Sequence, residues 1–136
     1  MSWMRRPAIV FALGMAPVLA LGCGSNKSAV DPEVQRRKSE LAEIYDSYMQ
    51  ARKGNNGRPP KQLTDLKPFS GIYPMGYQAL QKGDYVAVWS VSASDSTTVL
   101  AYEKDAPKQG GAVLMADGSV KNMTADELQT ALKHKG

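Results

Sequence analysis

One long segment of the chain, residues 32–53, repeats its apolar side chains with the spacing of an amphipathic α-helix. The apolar positions are Val34, Leu41, Ile44, Tyr45, Tyr48 and Met49. Asp31 and Pro32 are typical of a helix N-terminus, and Gly54 is a candidate for the left-handed residue that ends a helix. A helix with one apolar side must bury that side, so the sequence predicts that this helix packs against a sheet.

The segment between this helix and the first predicted strand is less regular. Residues 54–60 are rich in Gly, Asn and Pro, which predicts a loop. Residues 61–66 predict a short helical turn that Pro68 stops. Residues 67–82 have no clear period, and we expect them to be irregular.

The second half of the chain predicts four antiparallel strands and one more helix. The predicted strands are residues 85–91, 97–102, 111–116 and 119–123. The first of them is apolar on both faces, so we expect it to be a central strand of the sheet. Thr124 and Glu127 have the spacing of a capping box, which predicts the start of a short C-terminal helix.

These patterns predict a single α+β domain over residues 31–136. An N-terminal amphipathic helix would pack on a roughly four-stranded antiparallel sheet, with a short C-terminal helix after it. The apolar fraction of the chain, 43%, is that of a globular protein. We expect the domain to be a monomer whose aromatic residues pack in its core, with a groove for a glycan or a peptide as the alternative use of those residues.

Asp117 and Gly118 form the most conspicuous local motif of the strand region. An Asp-Gly pair between two β-prone segments is typical of a two-residue hairpin turn of type I′, in which both residues take positive φ. The alternative is a carboxylate at the loop tip that binds a cation or a partner. A calcium loop needs several oxygen ligands at alternating positions, and the neighbours of this pair do not supply them. We therefore interpret Asp117 and Gly118 as a structural turn.

The first 22 residues have the organisation of a secretory signal peptide. Arg5 and Arg6 precede a run without charge over residues 7–22. A helix that spans a bilayer needs about 20 apolar residues, so this run of 16 residues is short for a permanent anchor.

The end of this segment resembles a bacterial lipobox. Residues 19–23 read Leu-Ala-Leu-Gly-Cys, with the small residue Gly22 before the cysteine. This pattern implies cleavage between Gly22 and Cys23 and lipid on the Cys23 thiol, and two or three acyl chains make a firm membrane anchor. Residues 23–30 would then be the lipidated cysteine and a flexible tether. The alternative is an ordinary signal peptide with an incidental cysteine.

Composition excludes several classes of function. The net charge is +4, and because Arg5 and Arg6 lie in the signal segment, the remainder carries only +2, which argues against a nucleic-acid partner. Cys23 and His134 are the only cysteine and histidine in the chain. A disulfide framework, a cysteine-rich metal site and the usual catalytic triads are therefore disfavoured, and we expect no cofactor and no metal.

Two stretches resemble pilin-like secreted proteins. Residues 53–66 resemble the place in type II secretion pseudopilins where the long helix ends at a Gly/Asn loop, followed by proline and a short Leu-x-x-Leu turn. Residues 110–120 resemble the C-terminal Gly-Gly…Asp-Gly hairpin of a family of pilin-like bacterial proteins of unknown role. The histidine that usually precedes the Gly-Gly pair is absent, as is the prepilin leader. The resemblance implies a pilin-like domain on a lipid anchor.

The sequence as a whole predicts a non-enzymatic lipoprotein of the bacterial cell envelope. Its small domain would bind an envelope protein or have a structural role, and lipid on Cys23 would hold it to the membrane. Gly24, rather than aspartate, follows the cysteine. The resemblance to bacterial lipoproteins then implies the outer rather than the inner membrane. The alternative is a small periplasmic hydrolase or ligand-binding lipoprotein, which a deep pocket with convergent carboxylates would favour.

Overall fold

The computed structural model describes residues 30–134, which form an α+β fold with a long N-terminal helix packed against a four-stranded antiparallel sheet. The helices are α1 (Pro32–Gly54), a 3-10 helix (Leu63–Phe69), α2 (Pro74–Lys82), α3 (Ala106–Gln109) and α4 (Ala125–Lys133). The strands, in their order across the sheet, are β1 (Tyr85–Ala87), β2 (Val99–Glu103), β3 (Gly111–Met115) and β4 (Val120–Met123). The predicted fold class is confirmed.

Helix α1 begins where its capping residues predict. The Asp31 carboxylate accepts a hydrogen bond from the backbone N–H of Glu33 at 2.9 Å, and Pro32 occupies the first turn. Leu41, Ile44 and Tyr48 are fully buried. Val34 is 48% exposed, so the buried stripe is shorter than the predicted one and starts in the third turn of the helix.

The predicted end of α1 is wrong in its detail. Gly54 remains helical, and Asn55 is the capping residue, with φ of −107°. The left-handed residues come after it, at Asn56 (φ 55°) and Gly57 (φ 81°). Asparagine tolerates this conformation better than most residues, so the turn is displaced along the chain without a large cost in strain.

The two central strands, β2 and β3, are buried on both faces of the sheet, whereas β4 is largely exposed. On β3, Ala112 and Leu114 point to the face covered by α1, where Leu41, Ile44 and Tyr48 lie. Val113 and Met115 point to the opposite face and pack with Ala106 of α3 and Leu128 of α4. Thr124 and Glu127 form the predicted capping box, which fixes the start of α4 beneath the sheet.

Strand β1 is shorter than predicted and lies at the edge of the sheet, not at its centre. After Ala87 the chain turns at Trp89 and Ser90. The buried Tyr48 hydroxyl explains this turn, since it accepts a hydrogen bond from the N–H of Val91 at 2.9 Å and donates one to the carbonyl of Val88 at 3.3 Å. A contact across about forty residues therefore overrides the local strand propensity.

The region predicted to be irregular contains α2. Gly76 lies where α2 crosses α1, and a Cβ atom there would be only 2.7 Å from the backbone nitrogen of Ile44. The N–H of Gly76 also donates to the Glu43 carboxylate at 2.8 Å. The 3-10 helix Leu63–Phe69 includes Pro68, so the prediction that this proline stops the helical turn is wrong.

Candidate functional site

A cleft lined mainly by polar and charged residues lies between the first half of α1, the start of β1 and the connection from β2 to β3. Its volume is about 480 Å³. Charged side chains of both signs and the backbone of two glycines line it. Five of these residues decide its chemistry: Glu33, Arg37, Glu40, Tyr85 and Glu103.

Arg37 is the central cation of the cleft. Its guanidinium contacts Glu33 one helical turn earlier at 2.9 Å and Glu103 on β2 at 3.4 Å. The hydrogen bond to Glu33, together with the charge of Glu103, raises the pKa of Arg37 above its usual value. Arg37 therefore pairs with two carboxylates of the cleft, and Arg36 lies 3.9 Å from Glu33 as a second cation.

The buried Tyr85 and the partly buried Glu40 are hydrogen-bonded to each other in the lining of the cleft. The hydroxyl of Tyr85, a residue 4% exposed, donates a hydrogen bond to the Glu40 carboxylate at 3.0 Å. Burial, and then this hydrogen bond, raise the pKa of Tyr85. The phenol therefore remains a neutral donor at physiological pH, which is the opposite of an activated nucleophile or base.

Glu103 connects the cleft to the Gly-Gly motif. Its carboxylate accepts the N–H of Ala112 at 2.8 Å, and a Cβ atom on Gly111 would collide with the same carboxylate. Gly110 has φ of 79°, and a Cβ on it would lie 2.8 Å from the carbonyl oxygen of Met123. Both glycines are thus required by close approach of backbone or carboxylate, which is a structural role.

The β3–β4 hairpin differs from the predicted type I′ turn. Gly118 has φ of 89°, but Asp117 is not among the residues with positive φ. The N–H of Gly118 donates to the carbonyl of Met115, and the N–H of Met115 donates to the carbonyl of Ser119. This pattern is a three-residue loop with a glycine bulge, in which only Gly118 must be left-handed.

The Asp117 side chain serves the loop itself. Its carboxylate accepts one hydrogen bond from the hydroxyl of Ser119 and another, at 2.9 Å, from the backbone N–H of Ser119. These bonds lower the pKa of Asp117. Within residues 30–134, no group of three or more His, Cys, Asp or Glu residues is placed to hold a metal ion.

Gly118→Val should lower the free energy of unfolding by about 2–4 kcal/mol, because positive φ and overpacking both penalise it. The added Cβ would lie 3.1 Å from the ring of Tyr45. Asp117→Asn should change the free energy by less than about 0.5 kcal/mol, since an amide oxygen accepts the same bonds. Denaturant melts with and without calcium measure both variants. A calcium-dependent stabilisation that is lost in Asp117→Asn would instead identify a metal ligand.

The cleft was missed by the sequence analysis, whereas Asp117 and Gly118 were found. Glu33 and Arg37 have the (i, i+4) spacing of a helical ion pair, which is a visible but common signal. Glu40 and Tyr85 are 45 residues apart, and only the fold brings them together. His134 lies exposed at the end of α4.

Gly22 and Cys23, the predicted cleavage and lipidation residues, lie outside the described residues, as does the signal segment. Between residues 30 and 134, no helix has the length and apolar character that crossing a bilayer requires. Comparisons of the chain with models of protein families, with curated proteins and with solved structures find no match.

Proposed function

We propose that this protein is a non-enzymatic lipoprotein of the bacterial cell envelope, anchored through lipid on Cys23. The observation that carries the proposal is the lipobox-like sequence of residues 19–23, followed by a short polar tether. The tether leads directly into the N-cap of α1 at Asp31. The chain thus has an anchor, a spacer and a folded domain in that order. The glycine at position 24 favours the outer membrane as the location of the protein.

The chemistry of the polar cleft supports a binding or structural role for the domain. Its central ionisable groups are engaged with one another: Arg37 with Glu33 and Glu103, and Tyr85 with Glu40. In the described residues, every buried side-chain nitrogen and oxygen has a hydrogen-bond partner. These contacts hold α1 beside β1 and β2, which supports a structural or binding role for the groups that make them.

The alternative proposal is a ligand-binding lipoprotein or small hydrolase that uses the same cleft. Five carboxylate residues that line a cleft of about 480 Å³ favour it: Glu33, Glu40, Asp84, Glu103 and Asp105. The two proposals differ in what the intact protein retains on membranes. Affinity capture of the lipidated protein after mild crosslinking should recover an envelope protein under the first proposal. Under the alternative, Arg37→Ala would abolish binding of a small ligand and leave protein capture unchanged.

Cys23→Ser should abolish incorporation of radioactive fatty acid and either release the protein from membranes or leave the uncleaved precursor. The reason is that serine lacks the thiol to which the diacylglycerol is attached. Ser25→Ala, two residues along the tether, is the matched control and should be labelled like the wild type. Equal label in the wild type and in Cys23→Ser would contradict the proposed anchor.

A further inference from the structure

The loop after α1 carries an asparagine followed by glycine in an exposed position. Asn56 and Gly57 are both exposed and both left-handed. Asparagine is among the thermolabile residues of proteins, and it is most labile before glycine, because glycine lacks a side chain that would hinder attack by its own nitrogen. The fold and the proposed function make no use of this reactivity.

We propose that Asn56 is a deamidation site and that Arg52 controls its rate. In the first step, the backbone nitrogen of Gly57 loses its proton and forms a bond to the side-chain carbonyl carbon of Asn56. The bond from that carbon to the amide nitrogen breaks, and ammonia leaves with the proton. Water then opens the resulting succinimide at either carbonyl, which gives aspartate or isoaspartate and restores the N–H of Gly57.

The folded loop opposes the first step. The N–H of Gly57 donates to the carbonyl of Arg52 at 2.9 Å, and this hydrogen bond must break before the nitrogen can lose its proton and attack. The Arg52 side chain reinforces this arrangement, since its Nε donates to the carbonyl of Gly57 at 3.2 Å. A second guanidinium nitrogen donates to the hydroxyl of Ser94 at 3.2 Å, which ties the loop to another part of the chain.

Deamidation therefore requires local opening of this loop, and its rate follows the population of the open state. Loss of the guanidinium contacts in Arg52→Ala should raise that population, and hence the rate at Asn56, by about fivefold. Lys53→Ala is the matched control, because it removes a neighbouring positive charge from the same helix end. Ser94→Ala removes one anchor of Arg52 and should give a smaller increase.

The experiment follows the purified full chain in detergent at mildly alkaline pH, using peptide mapping by mass spectrometry to separate aspartate from isoaspartate at residue 56. The urea-unfolded chain gives the unrestrained rate, and Asn56→Gln should remove the product. Circular dichroism establishes that each variant is folded. The proposal predicts that the rate of deamidation at residue 56 is highest in the unfolded chain, lower in Arg52→Ala and lower again in Ser94→Ala. The rate in Lys53→Ala should equal that of the wild type. Equal rates in folded Arg52→Ala and Lys53→Ala would overturn the role of Arg52, and an unfolded chain without product at residue 56 would overturn the site.

Discussion

Leu41→Asp is expected to lower the free energy of unfolding by about 3–5 kcal/mol, which is a large part of the stability of a domain of this size. Leu41 is 1% exposed and packs with Ile44, Tyr48 and the face of the sheet that carries Leu114. The substitution removes the apolar contact and places a carboxylate where the surrounding core residues offer no counter-charge. Urea melts followed by circular dichroism measure the change.

Ala42→Asp is the matched control for this prediction. Ala42 is the next residue of α1 and is exposed, so the same new charge should cost less than about 1 kcal/mol there. If the melts of Leu41→Asp and wild type coincided, α1 would not depend on the sheet for its burial, and the packing described for this helix would be contradicted.

Gly76→Val is expected to lower the free energy of unfolding by about 3 kcal/mol, because it overpacks the contact between two helices. A side chain at this position in α2 meets the backbone of α1, including the nitrogen of Ile44 at 2.7 Å from the added Cβ. Backbone cannot move aside as a flexible side chain can, so the two helices must separate. The gain in helix propensity on replacing glycine is below about 1 kcal/mol and is too small to compensate.

Gly71→Val provides the comparison. Gly71 lies in the turn before α2, and a Cβ atom there would have no neighbour within 4 Å. Its replacement should change the free energy of unfolding by less than about 1 kcal/mol. Equal melts for the two glycine variants would show that α2 does not approach α1 as closely as described.

The starts of two helices were predicted well from the sequence. The capping residues Asp31 and Thr124 mark the starts of α1 and α4, because a cap is made by residues within a few positions of it. The end of α1 at Gly54 and the turn type at Asp117 were wrong in local detail, and the larger failures lie where distant residues decide the structure. The Tyr48 hydroxyl bonds the carbonyl of Val88 and the N–H of Val91 where β1 ends. Gly76 lets α2 approach the backbone of α1.

The resemblance to pilin-like proteins stays a prediction. The structure does explain why the glycines of the resembling motif must be glycine. Gly110 and Gly118 have positive φ, and Gly111 leaves room for the Glu103 carboxylate. These are requirements of a hairpin and its entry, and a hairpin of another origin would share them. The charged cleft could not be predicted, because Arg37 and Tyr85 acquire their partners through the packing of α1 beside β1 and β2.

The central claim is that the protein is held in the envelope by lipid on Cys23, and the mass of its N-terminal peptide tests this most directly. Protein extracted from membranes and digested with trypsin should yield residues 23–27 as the N-terminal peptide. We expect this peptide to start at Cys23 and to carry a thioether-linked diacylglycerol, with or without an acyl group on its amine. An unmodified Cys23 in membrane-extracted protein, or an N-terminus at another residue, would contradict the account.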